Sequence, residues 1–210
     1  METIAVKLPE SVEEDELVRL PATWEEYLDL LDEADQTNPT LTIQFLNNEV
    51  IMSQATDIHE ELVITVALLL KLALRSQSQY RVLGSSVKIV IPDHQGDFNA
   101  DVSVVNGPSE YGMTQKGREN KTRIKNPEII VEILSKSTRK FDEGEKLAYY
   151  KLIPSLKHIL LVDQNKPFVS VYSRTDAPNE WLNHDYWTLD AVVRLGDLEL
   201  PMREIYGATV

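Results

Sequence analysis

The sequence predicts an α/β domain built on a mixed central β-sheet flanked by helices. Three observations carry this. Ile129 to Leu134 is a short apolar, β-branched run opened by a turn at Asn126-Pro127, the pattern of a buried central strand. Asp57 to about Ser76 carries an apolar stripe at helical spacing, through Leu62, Val63, Val66, Leu69, Leu70 and Ala73. The elements follow one another as hairpin, helix, three strands, helix, strand, strand, which suits a sheet covered by helices.

Taken in order, residues 1–20 are acidic with little pattern and are expected to form a flexible arm. Residues 21–210 then form a single domain, a length that allows a full core. Thr23-Trp24-Glu25-Glu26 is a capping box, with helix to about Asp32. Leu41–Phe45 and Glu49–Met52 alternate as strands around an Asn47-Asn48 turn. After the 57–76 helix, Tyr80 to Ile91 reads as one strand bent at Gly84, and Pro92 to Phe98 as a turn. Asn99 to Val105 is the next strand, with Asp101 near its start. Asn106 to Lys125 is an irregular insertion that contains a basic patch from Lys116 to Lys125. It is a lid or nucleic-acid flap, or simply a solvated loop. Beyond the 129–134 strand, Phe141-Asp142 opens a helix to about Leu152, ended by Pro154. His158–Val162 and Phe168–Tyr172 pair as strands, Tyr186–Leu189 and Val192–Leu195 are short strands, and Met202–Tyr206 is a turn of helix.

Bulk composition narrows the function classes. No apolar run is long enough to cross a membrane. The first residues lack a signal-peptide pattern, so a cytoplasmic protein is expected. With no cysteine, disulfides and thiolate metal sites are excluded. The four histidines show no paired zinc spacing, and there is no P-loop, dinucleotide glycine pattern or nucleophile elbow. The net charge of −13 is unlike a nucleic-acid binder, but much of the acid is local, between Glu10 and Glu16 and between Glu25 and Asp35.

Glu132 interrupts the buried 129–134 run. A carboxylate there is costly unless it is paired or binds a metal. Asp101 is a second acid on a second apolar strand, and a helix bearing Lys146 follows. Two acids on two strands with a nearby lysine suggest a divalent-metal site.

The stretch Pro127-Glu128-Ile129-Ile130-Val131-Glu132-Ile133-Leu134-Ser135 resembles the Uma family of restriction-endonuclease-like proteins, abundant in cyanobacteria. So do Ser137-Thr138-Arg139, Asp142-Glu143-Gly144-Glu145-Lys146-Leu147, Tyr150 and Leu161-Val162-Asp163. Further matches are Tyr80 to Ser85 and the surroundings of Asp101, and the resemblance runs from about residue 20 to 207. It implies the restriction-endonuclease-like PD-(D/E)XK fold, a Mg²⁺ site (Mn²⁺ as a substitute) and an endonuclease that hydrolyses phosphodiester bonds of nucleic acid, with DNA the expected substrate. It further implies Asp101 and Glu132 as metal ligands, with the backbone carbonyl of Ile133 completing the protein shell. The superfamily lysine two residues after the glutamate is absent here, where Leu134 stands. The resemblance assigns that role to Lys146; Lys136 is the alternative donor, and an exposed pair with Asp142 the bland reading of Lys146. His59, in the first turn of its helix, is an accessory catalytic candidate. Tyr150, one turn after Lys146, either hydrogen-bonds the site or packs, and packing is the expected role. Gln44 and Ala100 depart from the family's usual acid and proline. A homodimer is common for such folds. Leu134 and the acidic charge favour a competing reading, a catalytically inactive binding or assembly module that retains the fold.

Overall fold

The computed structural model describes residues 7–9, 12–13, 16–37, 41–91, 95–114 and 117–207. Period-2 alternation sorts its strands into two large sheets and explains which side of each faces which core. In the strand β10 (Ile129–Leu134), Ile129, Val131 and Ile133 point into one apolar cluster, and Ile130 and Leu134 into another. Glu132 therefore shares its face with Ile130 and Leu134.

The six-stranded sheet is the predicted mixed central sheet. It contains β4 (Tyr80–Gly84), β7 (Val102–Asn106), β10, β11 (His158–Asp163), β12 (Val169–Arg174) and β13 (Trp181–Tyr186), in the order β13-β12-β11-β10-β7-β4. β10 and β11 are parallel; the other pairs are antiparallel. One face packs on the helix α2 (Asp57–Ala73), the hairpin of β14 (Val192–Leu195) and β15 (Leu198–Pro201), and the short helix α5 (Met202–Tyr206).

A second, seven-stranded sheet lies across the other face and was not anticipated. It contains β1 (Val18–Pro21), β2 (Leu41–Leu46), β3 (Glu49–Gln54), β5 (Lys88–Ile91), β6 (Gly96–Asn99), β8 (Tyr111–Met113) and β9 (Glu119–Ile124), ordered β1-β3-β2-β6-β5-β9-β8. Between the sheets packs a continuous helical stretch, residues 139–150. It begins as α3 (Arg139–Phe141), widens into a π-helical segment (Asp142–Lys146) and ends as α4 (Leu147–Tyr150). The outer face of the seven-stranded sheet is covered by α1 (Trp24–Thr37).

Local signals were read correctly. Thr23 and Glu26 form the reciprocal capping box, with the Thr23 N–H donating to Glu26 Oε2 at 2.7 Å and the Glu26 N–H to Thr23 Oγ1 at 3.2 Å. Asn47 and Asn48 both take positive φ, 50° and 61°, as a tight hairpin turn with the strands' own twist requires.

Several boundaries need correction. The arm assigned to residues 1–20 is shorter, because Val18–Pro21 is an edge strand on β3. The single strand 80–91 is two strands in different sheets, since the chain turns after Gly84 and crosses from β7's side to β6's. The insertion 106–125 contains β8 and β9, a bulged antiparallel pair, rather than an irregular lid. Its Arg123 is committed to structure. The Arg123 Nε donates to the buried Asp97 Oδ2 at 2.9 Å, and Tyr27 OH donates to the same oxygen at 2.6 Å, tying α1 to the sheet. Lys116 of the basic patch lies outside the described residues. The strand placed at 186–189 is instead Trp181–Tyr186, whose mostly polar sequence carries no alternating signal.

A candidate active-site cavity between the two sheets

The cavity forms where sequence alternation forces a carboxylate into an otherwise apolar layer. Glu132 is 2% exposed and faces the 139–150 helix. Burial pushes its carboxyl well above the usual range, against the pull of Lys146; Asp101 and Asp142 push it the same way as burial. Both its oxygens are held. Lys146 Nζ donates to Oε2 at 2.9 Å and Tyr150 OH to Oε1 at 2.6 Å.

Lys146 comes from the last residue of the π-helical segment, and it too is 2% exposed. Its ammonium has three protons and meets three acceptors: Glu132 Oε2, the Asn99 carbonyl at 2.9 Å and Asp142 Oδ1 at 3.3 Å. Burial alone would favour the neutral amine. The charges of Glu132, Asp142 and Asp101 outweigh it and hold Lys146 above its ordinary value, so it is an ammonium at working pH. The reading of Lys146 as an exposed partner of Asp142 is thus half right: the pair exists, but Asp142 is 3% exposed and also lines the cavity. Burial raises the Asp142 carboxyl as well, again against Lys146. Both carboxyls and the ammonium bind protons more tightly than isolated groups would. For the two carboxyls the leading cause is burial, with repulsion among the acids adding to it; for Lys146 it is the surrounding carboxylates, which outweigh burial.

Asp101 sits in the bend just before β7, not inside the strand. Its Oδ2 accepts the Ile133 N–H at 2.6 Å, one step beyond the last β7–β10 pair, Val102 with Val131. That bond fixes Asp101 beside Glu132, and both line one cavity of about 40 Å³. Asp101 Oδ1 lies 3.2 Å from His59 Nε2. His59 is in the first turn of α2, where the Thr56 hydroxyl caps the helix by accepting the His59 N–H. Burial works to lower the His59 pKa, but the hydrogen bond and charge of Asp101 prevail and raise it.

The sequence-derived candidates Asp101, Glu132, Ile133, Lys146 and His59 all line this cavity. Lys136 does not; it is exposed on the turn after β10. Two contributors were missed. Asp142 was seen only as a helix-surface acid. The Asn99 carbonyl carries no residue-type signal. Tyr150, for which packing was expected ahead of a hydrogen bond to the site, does both: it is buried and its hydroxyl holds Glu132. Gln44 lines the cavity and accepts the Asn99 N–H at 3.1 Å, so it does structural work there.

The donor set is one a hard cation prefers: carboxylate, amide and backbone oxygens, no thiolate, one imidazole. Among the described residues no group of three or more His, Asp or Glu is placed to enclose an ion by itself. Asp101 and Glu132 are two carboxylates, the number that Mg²⁺ commonly takes from a protein while it keeps several waters. At about 10–15 Å³ per water, the cavity has room for a small ion with a few waters and not for a nucleotide.

Comparison with known proteins gives these residues a context. A family model described as Uma2, "Putative restriction endonuclease", matches residues 24–203. The uncharacterized protein sll1609 of Synechocystis sp. (strain ATCC 27184 / PCC 6803 / Kazusa) is 29% identical over 161 residues, 76% of this chain and 84% of that protein. The uncharacterized protein slr1290 of the same organism is 33% identical over 106 residues, 50% of this chain and 52% of its own length. Among solved structures, "a putative nuclease belonging to DUF820" from Anabaena variabilis ATCC 29413 superposes with a TM-score of 0.64 at 16% identity, covering 86% of this chain and 97% of that one. At that identity the likeness speaks for the fold, which is restriction-endonuclease-like. No helix among the described residues is long and apolar enough to cross a membrane. With the family model covering all but the two ends of the sequence, the chain belongs to the Uma2 family of restriction-endonuclease-like proteins.

Proposed function

We propose that the chain is a divalent-metal-dependent nuclease that hydrolyses phosphodiester bonds of nucleic acid, with DNA as its first candidate substrate. One observation carries the reading. Asp101, Glu132 and Lys146, from three separate segments, converge on one cavity, and the lysine missing from β10 is supplied by the helix at 2.9 Å from Glu132. Asp101, Glu132 and the Ile133 carbonyl would hold Mg²⁺ or Mn²⁺, which when bound supplies an acidified water and charge stabilisation at the phosphate.

The chain's own residues have narrower tasks. Lys146 stays protonated, so it serves as a fixed positive charge and hydrogen-bond donor, not as a base. Tyr150 orients Glu132. His59 steadies the second side of Asp101. The phosphate must meet these groups at the cavity mouth, because the interior is too small to admit it.

The test is cleavage of supercoiled and linear duplex DNA, single-stranded DNA and RNA with Mg²⁺ or Mn²⁺, by wild type and Asp101→Asn. Metal-dependent cleavage lost in Asp101→Asn supports the proposal. A second reading, an inactive binding or assembly module, draws on the net charge of −13 and on Glu132 having both oxygens already occupied within the protein. Absence of cleavage on every substrate, together with no Asp101-dependent metal binding by calorimetry, would select it.

A further inference from the structure

α2 has a second apolar stripe on the side away from the core. Leu62, Val63, Val66 and Leu70 are buried against the six-stranded sheet. On the outer face Ile64, Leu68 and Leu72 stand one turn apart and are 66%, 55% and 48% exposed. Scattered exposed leucines are ordinary, whereas an aligned row of three on one helix is an unsatisfied surface. The charges beside the row are sorted along it. Asp57, Glu60 and Glu61 are exposed at the start of the helix, Lys71 in its last turn and Arg75 in the turn just past its end.

We propose that this face is a homodimer interface, in which α2 packs antiparallel on α2 of a second copy about a twofold axis at Leu68. The positions fit that symmetry. Ile64 and Leu72 each lie four residues from Leu68, and Glu61 and Arg75 each lie seven. An antiparallel pairing centred on Leu68 therefore sets Leu68 against its own copy and Ile64 against Leu72 of the second chain. It also sets Glu61 against Arg75 at both ends, so these contacts are matched apolar with apolar or acid with base, while Thr65 faces Lys71 between them. A parallel pairing would instead face Glu61 with Glu61 and Arg75 with Arg75. Charge thus selects both the partner, a second copy, and its direction. One helix pair is small beside a standard interface of about 1,200–2,000 Å², so the dimer is reversible and weakens with salt as the end pairs are screened. This gives the homodimer expected for such folds a specific face and register, independent of whether the cavity cleaves nucleic acid.

The chain has no cysteine, so an introduced one is the sole thiol. Under mild oxidation Leu68→Cys should form a disulfide-linked dimer. Ile64→Cys and Leu72→Cys should each fail alone but crosslink to one another when mixed. In sedimentation, Leu68→Glu should shift the protein to monomer, with melting unchanged from wild type at dilutions where both are monomeric. Glu61→Arg should weaken association several-fold, and adding Arg75→Glu to the same chain should restore it. A wild type that stays monomeric at millimolar concentration overturns the proposal. So does a dimer in which Ile64→Cys crosslinks to itself more readily than Leu68→Cys.

Discussion

Replacing Lys146 by methionine keeps the side chain's length and removes its charge, which isolates the electrostatic role of the ammonium. Glu132, Asp142 and Asp101 then line the cavity without their buried cation. Breaking a buried pair from one side typically costs about 3–5 kcal/mol. The cavity can limit the loss by taking up a proton. Neutralising one carboxyl of ordinary value 4.5 at pH 7 costs about 2.5 pH units, or about 3.4 kcal/mol at about 1.36 kcal/mol per unit. At pH 5 the same uptake costs only about 0.7 kcal/mol. The expected loss for metal-free protein is therefore about 3 kcal/mol at pH 7, shrinking to about 1 kcal/mol at pH 5. For a chain of this size that is a fall in Tm of roughly 6–12 °C at pH 7. The assay is thermal and urea unfolding in EDTA at both pH values, with Lys136→Met as the exposed control, expected within about 0.5 kcal/mol of wild type. If Lys146 were an exposed helix-pair partner, its loss would be only about 0.2–0.5 kcal/mol. A Lys146→Met loss that small, or one equally large at both pH values, would refute the buried counter-ion argument.

Magnesium should stabilise the wild type by about 2.7 kcal/mol at one hundred times its Kd, and calorimetric melting should show no such rise for Asp101→Asn. Glu128, in the turn before β10, gives a pH test away from the cavity. Burial acts to raise its pKa, but hydrogen bonds from Asn106 and Tyr80 and the charge of Lys157 lower it. A lowered carboxyl contributes stability that is present above its unfolded value of 4.5 and is lost as pH falls through the folded value. Glu128→Gln should thus destabilise by about 1–2 kcal/mol at pH 7, with the gap to wild type closing as pH falls from 4.5 through the lowered folded value, as followed by urea unfolding.

What could be read in the sequence was local. The capping box at Thr23, the Asn47-Asn48 hairpin, the α2 stripe and the β10 run each depend on residues within a few positions of one another. The structure places all four where local chemistry put them. What could not be read depends on partners far along the chain. Tyr80 to Ile91 is continuous in pattern, yet β4 joins β7 and β5 joins β6, a choice made by pairing and not by the strand itself. The edge strand β1 is held by pairing with Val50, Ile51 and Met52 of β3, and its own four residues give too short a signal. The site divides the same way. Glu132 and Asp101 stand out because acids are costly in apolar strands. Asp142 does not, because an acid on a charged helix normally faces water, and only the covering sheet buries it.

On the proposed nuclease reading, the exchange of Leu134 for Lys146 follows from how the helix is wound. Leu134 shares the face of Glu132 and is fully buried with Phe141 and Leu147 in the layer between the sheets. A lysine there would have to lie along the strand inside that apolar layer. The helix offers another route, provided one of its sides can bear both packing residues and charged ones. Phe141, Asp142, Lys146, Leu147 and Tyr150 are all buried. At about 100° per residue, an unbroken α-helix would spread these five over about 240°, wider than one face. The π-helical segment from Asp142 to Lys146 winds more slowly, because its hydrogen bonds close at i+5, and it draws the five toward one side. Phe141 and Leu147 can then fill the core against Leu134 while Lys146 and Tyr150 reach Glu132. What the cavity specifies is thus a position for an ammonium in space. A strand lysine or a lysine from a widened helical turn can occupy it, and a sequence pattern tied to the strand alone sees only the leucine.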